Sequence, residues 1–519
     1  MATQFENVRR FADQAGDRLA IITEQDGTRT YAELARGIAA LAYSLTHELG
    51  LEPGDRVGLW GWNSPEWVEG FIGCAAAGLS CLALNPEWTA METAAVLRQA
   101  GVKALIHDRD LAARAAAVKT RTPSLTHLIS IGESPHLQFA QLQALSPADA
   151  AARLSDVPAG AALPYFFTSG TTGSRSKAVL RSQGRKVPDR MASLFNLDPL
   201  DRMMVVTPMF HGNGNSGVMT ALTFGGSAVI QRRFSARRFW PLADRYRPTF
   251  LFTLMPIVNI LMTLEPTPAE RHNAFRYILA LGISPYADAC EARYGVKTID
   301  FYGSTETGGA VYTPIDEPRP PGATGRLIPG TSLVILRDDL TRCDPGETGQ
   351  VAFPAKEIGF AGYDGDPDAT AAALQEGYFM TGDLASLDAD GWFYFVDRIK
   401  DIIRRGGENV SGLEVESLIA EHPDVAEVAV VPRPDPVLGE RVTAFIVPRA
   451  GAALPTPEAL GVFGAGRLAA YKFPDLVIAA TELPRTETGK IKKAVLKARL
   501  REAAAGAAGA APENKSAAT

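Results

Sequence analysis

Short apolar runs recur through the first part of the chain, at Arg56 to Trp60, Leu79 to Leu84, Val102 to Ile106 and His127 to Ile131, and alternate with stretches whose apolar positions return at the helical period. Near-continuous apolar runs of this length predict strands covered on both faces. Their alternation with helices predicts an α/β architecture with buried, mostly parallel sheets. Thr30, with Glu33 three residues on, supplies a capping box for one of these helices. The first twenty residues read as an amphipathic helix containing acids, without the apolar core and cleavage site of an export signal. The uncharged stretches Gly70 to Pro86 and Phe250 to Leu264 contain Gly, Pro or Asn and fall short of the roughly 20 apolar residues of a membrane span. No membrane span is expected, and a soluble protein is.

The texture changes near residue 398. Asp397-Arg398-Ile399-Lys400-Asp401 is charged, Gly406-Gly407 follows, and Ser411-Gly412-Leu413-Glu414 opens a new helix that stops at His422-Pro423. Val425 to Val431 and Val442 to Val447 read as strands, and a lysine-rich helix closes the segment. The expected organisation is a large, multi-subdomain N-terminal domain over 1–397, its sheets flanked by helices, and a small α/β domain over 401–500. The Ala- and Gly-rich 501–519 has little to bury and is expected to be a disordered tail.

A length of 519 residues, 46% of them hydrophobic, fits two or more domains. The net charge of −6 offers no basic field for a phosphate backbone, so nucleic acid is not an expected partner. Four cysteines without a CxxC pair form neither a disulfide framework nor a zinc pattern, and fit a reducing cytoplasm.

Chemistry concentrates first in Tyr165-Phe166-Phe167-Thr168-Ser169-Gly170-Thr171-Thr172-Gly173-Ser174-Arg175-Ser176-Lys177, an apolar strand running into a hydroxyl- and glycine-rich loop that ends on a cation. Glycines let backbone amides turn toward an anion, hydroxyls add donors, and Lys177 adds charge, which together make a phosphate cradle. Most isolated Gly/Ser stretches are only flexible loops; here the strand in front and the dense Thr/Ser/Gly pattern weigh against that. A P-loop is excluded, because Arg175 and Ser176 stand where its second glycine and lysine belong, and Ala178 follows Lys177.

With this loop, further motifs follow in order: Tyr302-Gly303-Ser304-Thr305-Glu306, Thr381-Gly382-Asp383, Asp397 to Asp401 with Gly406-Gly407-Glu408-Asn409, and Pro484-Arg485-Thr486-Glu487-Thr488-Gly489-Lys490. From about Phe5 to Lys493 the chain resembles the adenylate-forming enzymes, the superfamily of acyl-CoA synthetases, luciferase and peptide-synthetase adenylation domains. The resemblance implies ATP and Mg2+ at Thr168 to Gly173 and Lys177. It implies adenine stacking on Tyr302, with Ser284, Asp300, Phe301, Gly303 and Ser304 around the base. Thr305 would hold a phosphate oxygen, Glu306 would ligate Mg2+, and Asp383 with Arg398 would hold the ribose. A lone glutamate such as Glu306 otherwise reads as a solvated loop acid.

Lys490 is the residue on which adenylation is expected to turn. A carboxylate with a pKa near 4 is already ionised, so attack on ATP needs no base but does need the repulsion between two anions relieved. The second half-reaction brings a thiol to the acyl-adenylate, and the resemblance implies a hinge at 398–400, centred on Lys400, that makes the small domain mobile, with Gly407 letting a pantetheine arm pass. His211, Gly212, Asn213, Gly303 and Gly308 are the expected acid pocket. His211 replaces the aspartate of amino-acid-activating relatives, which disfavours an α-amino acid; as a lone histidine it also reads as structural.

Phe234 to Trp240, Phe393 to Arg398 and Arg405 to Ser411 resemble crotonobetaine/carnitine-CoA ligases most closely. The expected reaction joins a small-molecule carboxylic acid to coenzyme A at the cost of ATP. A carrier-protein phosphopantetheine as acceptor, and a non-catalytic nucleotide-binding homologue, are the alternatives; a luciferase-like oxidation has no specific support. The sequence leaves the acid and the oligomeric state open.

Overall fold

The structure is a computed structural model that describes residues 3–24, 27–154, 165–167, 178–181, 191, 193–405, 408–435, 437–486 and 489–509. It divides into two compact units. The first comprises 1–168, 176–333 and 353–380; the second comprises 169–175, 334–352 and 381–519.

The first unit carries two sheets of the expected kind. One runs in the order Lys297–Ile299, Tyr277–Leu281, Phe250–Leu254, Arg202–Val205, Ser227–Ile230, Leu19–Thr23, Thr28–Thr30, parallel except for its last pair. The other runs Phe360–Tyr363, Ala178–Arg181, Tyr165–Phe167, Ser80–Leu84, Arg56–Trp60, Ala104–Asp108, His127–Ile131, Leu137–Gln138. Every residue of Phe250–Leu254, Ser80–Leu84 and Ala104–Asp108 is buried, which is why these strands read as unbroken apolar runs and not as alternation. Helix Tyr31–His47 starts on the Thr30 and Glu33 box as expected, and Gln4–Ala15 starts on a second box at Thr3 and Glu6.

Parallel order does not extend to the second unit. Its C-terminal sheet, Glu408–Val410, Ile403–Arg405, Gly439–Pro448 and Val425–Asp435, is antiparallel, with Leu476–Ala479 added in parallel. The turn between Val425–Asp435 and Gly439–Pro448 is too short for a crossover, and a hairpin is the only pairing it allows. Alternate residues face two cores. Val428, Val430, Ala444 and Ile446 meet Val415 and Ile419, while Ala429, Val431 and Phe445 meet Leu483, Leu496 and Leu500 of the closing helix.

Two boundaries differ from those expected. The second unit takes up Val334–Leu336 and resumes at Thr381, upstream of 398, because the Thr381 hydroxyl donates to the Val351 carbonyl at 2.8 Å and the strand carrying it pairs Asp383 opposite Arg398. The closing helix, Lys493–Gly509, continues past Glu502 into the segment expected to be disordered. Alanine has the highest helix propensity, so a poly-alanine continuation extends a helix that Leu496 and Leu500 have already docked. Among the described residues, no helix is long and apolar enough to cross a membrane.

Candidate active site

In the first unit, the chain leaves the carboxyl ends of adjacent parallel strands at three of the expected site segments, the edge where open α/β sheets bind ligands. Val205 leads to Pro208-Met209-Phe210-His211, Leu281 to Gly282-Ile283-Ser284, and Ile299 to Asp300-Phe301. Buried Asn63 pins the first of these segments. Its Nδ2 donates to the Thr207 and Gln231 carbonyls, both at 3.0 Å, and its Oδ1 accepts from Met209 N at 2.8 Å. His211 then stands at the N-cap of helix Gly212–Phe224, its ring 4.4 Å from that of Phe210. Gly214 is required there, since a Cβ would lie 2.4 Å from the Pro208 carbonyl oxygen. Asn213 does not serve as pocket lining. Its Oδ1 accepts from Thr207 Oγ1 at 2.7 Å and its Nδ2 donates to the Thr253 carbonyl at 3.2 Å, so it ties the helix start to the sheet.

Asp300 is buried, and burial raises its pKa against the hydrogen bonds that oppose it. Its carboxylate accepts from Gly282 N at 2.7 Å, Ser284 N at 2.9 Å, Phe301 N at 2.7 Å, and the Ser284 hydroxyl. Four chain donors match the four acceptor sites of a carboxylate. Asp300 therefore shapes the Gly282 to Ser284 turn, with Ser284 held beside it.

Phe301–Ser304 and Gly308–Tyr312 form a hairpin whose turn carries Thr305 and Glu306. Ser304 N donates to Thr307 Oγ1 at 3.1 Å, and Thr307 N to Ser304 Oγ at 3.2 Å, which locks the turn from both ends. Gly303 permits the strands to close: a Cβ there would lie 2.1 Å from the Gly308 carbonyl oxygen, and Gly308 itself has φ +70°. Tyr302 is buried on this hairpin. Phe195 fastens the hairpin to the sheet, its ring 6.0 and 6.1 Å from Phe301 and Tyr312, and 6.4 and 6.1 Å from Phe250 and Tyr277.

Glu306 accepts a hydrogen bond from Tyr363 Oη at 3.0 Å. Tyr363 ends the strand that pairs with Ala178–Arg181, placing it opposite Val179, just after the expected phosphate loop. That loop, Thr168, Ser169, Gly170, Thr171, Thr172, Gly173 and Lys177, lies outside the described residues, while its flanking strands pair Phe167 with Ala178. Mg2+ is commonly bound through one or two carboxylates with substrate phosphates supplying further oxygens. The intermediate exposure of Glu306 suits that mode, and the described residues contain no cluster of three or more acidic, histidine or cysteine ligands. Tyr363→Phe is expected to raise the Mg2+ and ATP requirement several-fold, by the roughly 1.5–3 kcal/mol of a hydrogen bond to a charged group at most. Titrating pyrophosphate exchange with each would detect it.

In the second unit, Gly382 adopts φ +73° and Asp383 follows it, nearly buried, 3.4 Å from Arg398 Nε. Asp397 fixes this strand end. It accepts from Arg398 N at 2.7 Å, Ser411 Oγ at 3.1 Å and Leu413 N at 3.1 Å, and Ser411 in turn caps helix Gly412–Ala420. Lys400 follows in a short 3-10 turn, where its carbonyl and the Asp401 carboxylate both accept from Lys497 Nζ at 2.8 Å. Gly407 lies outside the described residues.

Lys490 closes a tight loop: Thr486 N donates to its carbonyl at 2.7 Å, and Arg485 Nη1 donates to the Gly489 carbonyl at 2.7 Å. Desolvation by its surroundings, and then Arg398, lower the Lys490 ammonium to about 8, with Asp383 opposing. The side chain is nonetheless exposed, so water screens part of this effect. The sign gives a test. The ammonium is present below that pKa and lost above it, so kcat/KM for exchange should fall as pH rises through about 8. Bound anions would move the corresponding limb of kcat higher. Lys490→Arg should remove the alkaline limb; a limb unmoved in that variant would assign it to another group.

Sequence reasoning did not find Tyr363 or Asn63. Tyr363 sits in a Gly-rich segment without a motif, and Asn63 looks like an ordinary polar residue ahead of a helix cap.

The chain matches the model of the AMP-binding enzyme over residues 8–363, and that of the AMP-binding enzyme C-terminal domain over 414–490. It is 34% identical over 526 residues to a crotonobetaine/carnitine–CoA ligase of Salmonella paratyphi A, covering 95% of this chain and 99% of that one. It is 30% identical over 507 residues to an oxalate–CoA ligase of Arabidopsis thaliana, covering 95% and 96%. The crystal structure of ATP-bound MatB from Rhodopseudomonas palustris matches with a TM-score of 0.86 and 26% identity, over 96% and 100% of the two chains. The chain belongs to the AMP-binding enzyme family. Within it, it falls in the acyl-CoA synthetase branch of the adenylate-forming enzymes.

Proposed function

We infer that the protein is an AMP-forming acyl-CoA ligase. A carboxylate oxygen attacks the α-phosphorus of ATP, pyrophosphate leaves, and an acyl-adenylate forms. The coenzyme A thiolate then attacks the acyl carbon, and AMP leaves with the former carboxylate oxygen. The observation that carries the reading is the group formed by Asp383, Arg398 and Lys490 on one unit. An anion paired to a cation suits ribose hydroxyls, and a second cation stands within electrostatic reach. Relatives of nearly full coverage whose names are CoA ligases support it.

Lys490 would neutralise the meeting of carboxylate and α-phosphate. At about 4 Å and an effective dielectric near 20, such a pair of unlike charges is worth about 4 kcal/mol. Glu306, held by Tyr363, would take Mg2+, and the Thr168 to Lys177 loop would hold the departing pyrophosphate. Mg2+ would supply charge neutralisation at the phosphates. Lys400 is the proposed hinge and Gly407 the proposed passage for the thiol. We place the reaction in the cytoplasm. The relatives' differing acids, oxalate and crotonobetaine, leave the acid to experiment: ATP–pyrophosphate exchange over a panel of acids, repeated with coenzyme A. Exchange that no acid supports would overturn the reading.

A further inference from the structure

In the second unit, three buried side-chain donors have no partner among the described residues: Arg405 Nε, Arg433 Nε and Thr443 Oγ1. All three lie in one patch of the C-terminal sheet. Arg433 stands directly opposite Arg441 across the hairpin, and Thr443 is opposite Val431, two residues from Arg433 on the same face. Like charges placed opposite each other destabilise a sheet unless something compensates them. Arg441 is compensated, by Asp435 and by Asp475 Oδ1 at 3.3 Å, and Arg405 by the same Asp475 oxygen at 2.5 Å. No carboxylate forms an ion pair with Arg433 among the described residues. Three guanidinium groups thus share two carboxylates, and one positive charge and three donors are left over. Leaving buried donors unmade costs about 1–3 kcal/mol each, more for a charged group. A cost of that size concentrated in one place is accounted for if an anion completes the set.

Arg405 directly precedes Gly406-Gly407 in the sequence, the segment proposed to pass the thiol. Coenzyme A carries phosphates at the end of its molecule away from the thiol, and guanidinium groups match phosphate oxygens in geometry and charge. A phosphopantetheine on a carrier protein lacks the 3′-phosphoadenosine. We propose that Arg433, supported by Arg405, Arg441 and Thr443, binds a phosphate of the coenzyme A nucleotide and so selects free coenzyme A as the acyl acceptor. This rests on the acyl-CoA ligase reading.

The test compares wild type with Arg433→Gln on coenzyme A, 3′-dephospho-coenzyme A and pantetheine, with pyrophosphate exchange as the control for adenylation. Arg433→Gln should raise KM for coenzyme A about tenfold, the loss of about 1.4 kcal/mol. Its kcat, its exchange rate and its KM for pantetheine should stay unchanged. An effect shared by dephospho-coenzyme A assigns the contact to the diphosphate, and an effect confined to coenzyme A assigns it to the 3′-phosphate. An equal effect on pantetheine, or none on coenzyme A, overturns the proposal. Calorimetric binding of adenosine 3′,5′-bisphosphate to both proteins keeps the patch testable apart from turnover. Weaker binding by the variant supports it, and equal binding contradicts it even if no thioester is ever formed.

Discussion

Lys490→Ala is expected to lower acid-dependent ATP–pyrophosphate exchange about a hundred- to a thousandfold, the usual cost of removing one preorganised electrostatic stabiliser from a transition state. The same variant should convert a supplied acyl-adenylate and coenzyme A to thioester at close to the wild-type rate, because that step has no meeting of anions for Lys490 to relieve. The loop should survive the change. Its internal bonds run through Thr486, Gly489 and Arg485, and the backbone of Lys490 supplies its own share. Circular dichroism and an unchanged melting temperature would confirm this. Exchange at the wild-type rate would remove Lys490 from the mechanism.

Gly407→Trp should give the opposite split. Exchange should persist, and thioester formation from supplied acyl-adenylate should fall by about two orders of magnitude, the scale on which a displacement of about 1 Å at the reacting atoms acts. The two variants together separate the half-reactions more sharply than either alone. Equal loss of both activities in Gly407→Trp would indicate damage to the fold of the C-terminal sheet instead of an obstructed path.

The parts of the fold legible in the sequence were those set by local rules. Continuous burial made the parallel strands visible as apolar runs, and Thr30 with Glu33, or Ser411 with Glu414, marked helix starts through hydrogen bonds between residues three apart. The antiparallel C-terminal sheet was not anticipated as such, because its pairing depends on a tight turn after Asp435 and not on composition. The site divides the same way. Glu306, Asp383 and Lys490 stand in motifs whose spacing the chain keeps. Asn63 and Tyr363 act on residues 146 and 57 positions away, and nothing local marks them. Asp300 was legible as a site residue, but not as the acceptor that shapes the Gly282 to Ser284 turn. Asn213 likewise proved to be a tie between helix and sheet. In both, the hydrogen-bond partners decide the role, and partners distant in sequence are what folding supplies.

The central claim, that the acid is activated as an acyl-adenylate, is tested most directly by following its oxygen. With a carboxylic acid found by the exchange panel and labelled with oxygen-18 in its carboxylate, a turnover with ATP and coenzyme A should place one label in the phosphate of AMP, alongside acyl-CoA and pyrophosphate. Label in orthophosphate, with ADP as the nucleotide product, would mean an acyl phosphate intermediate and would contradict the account.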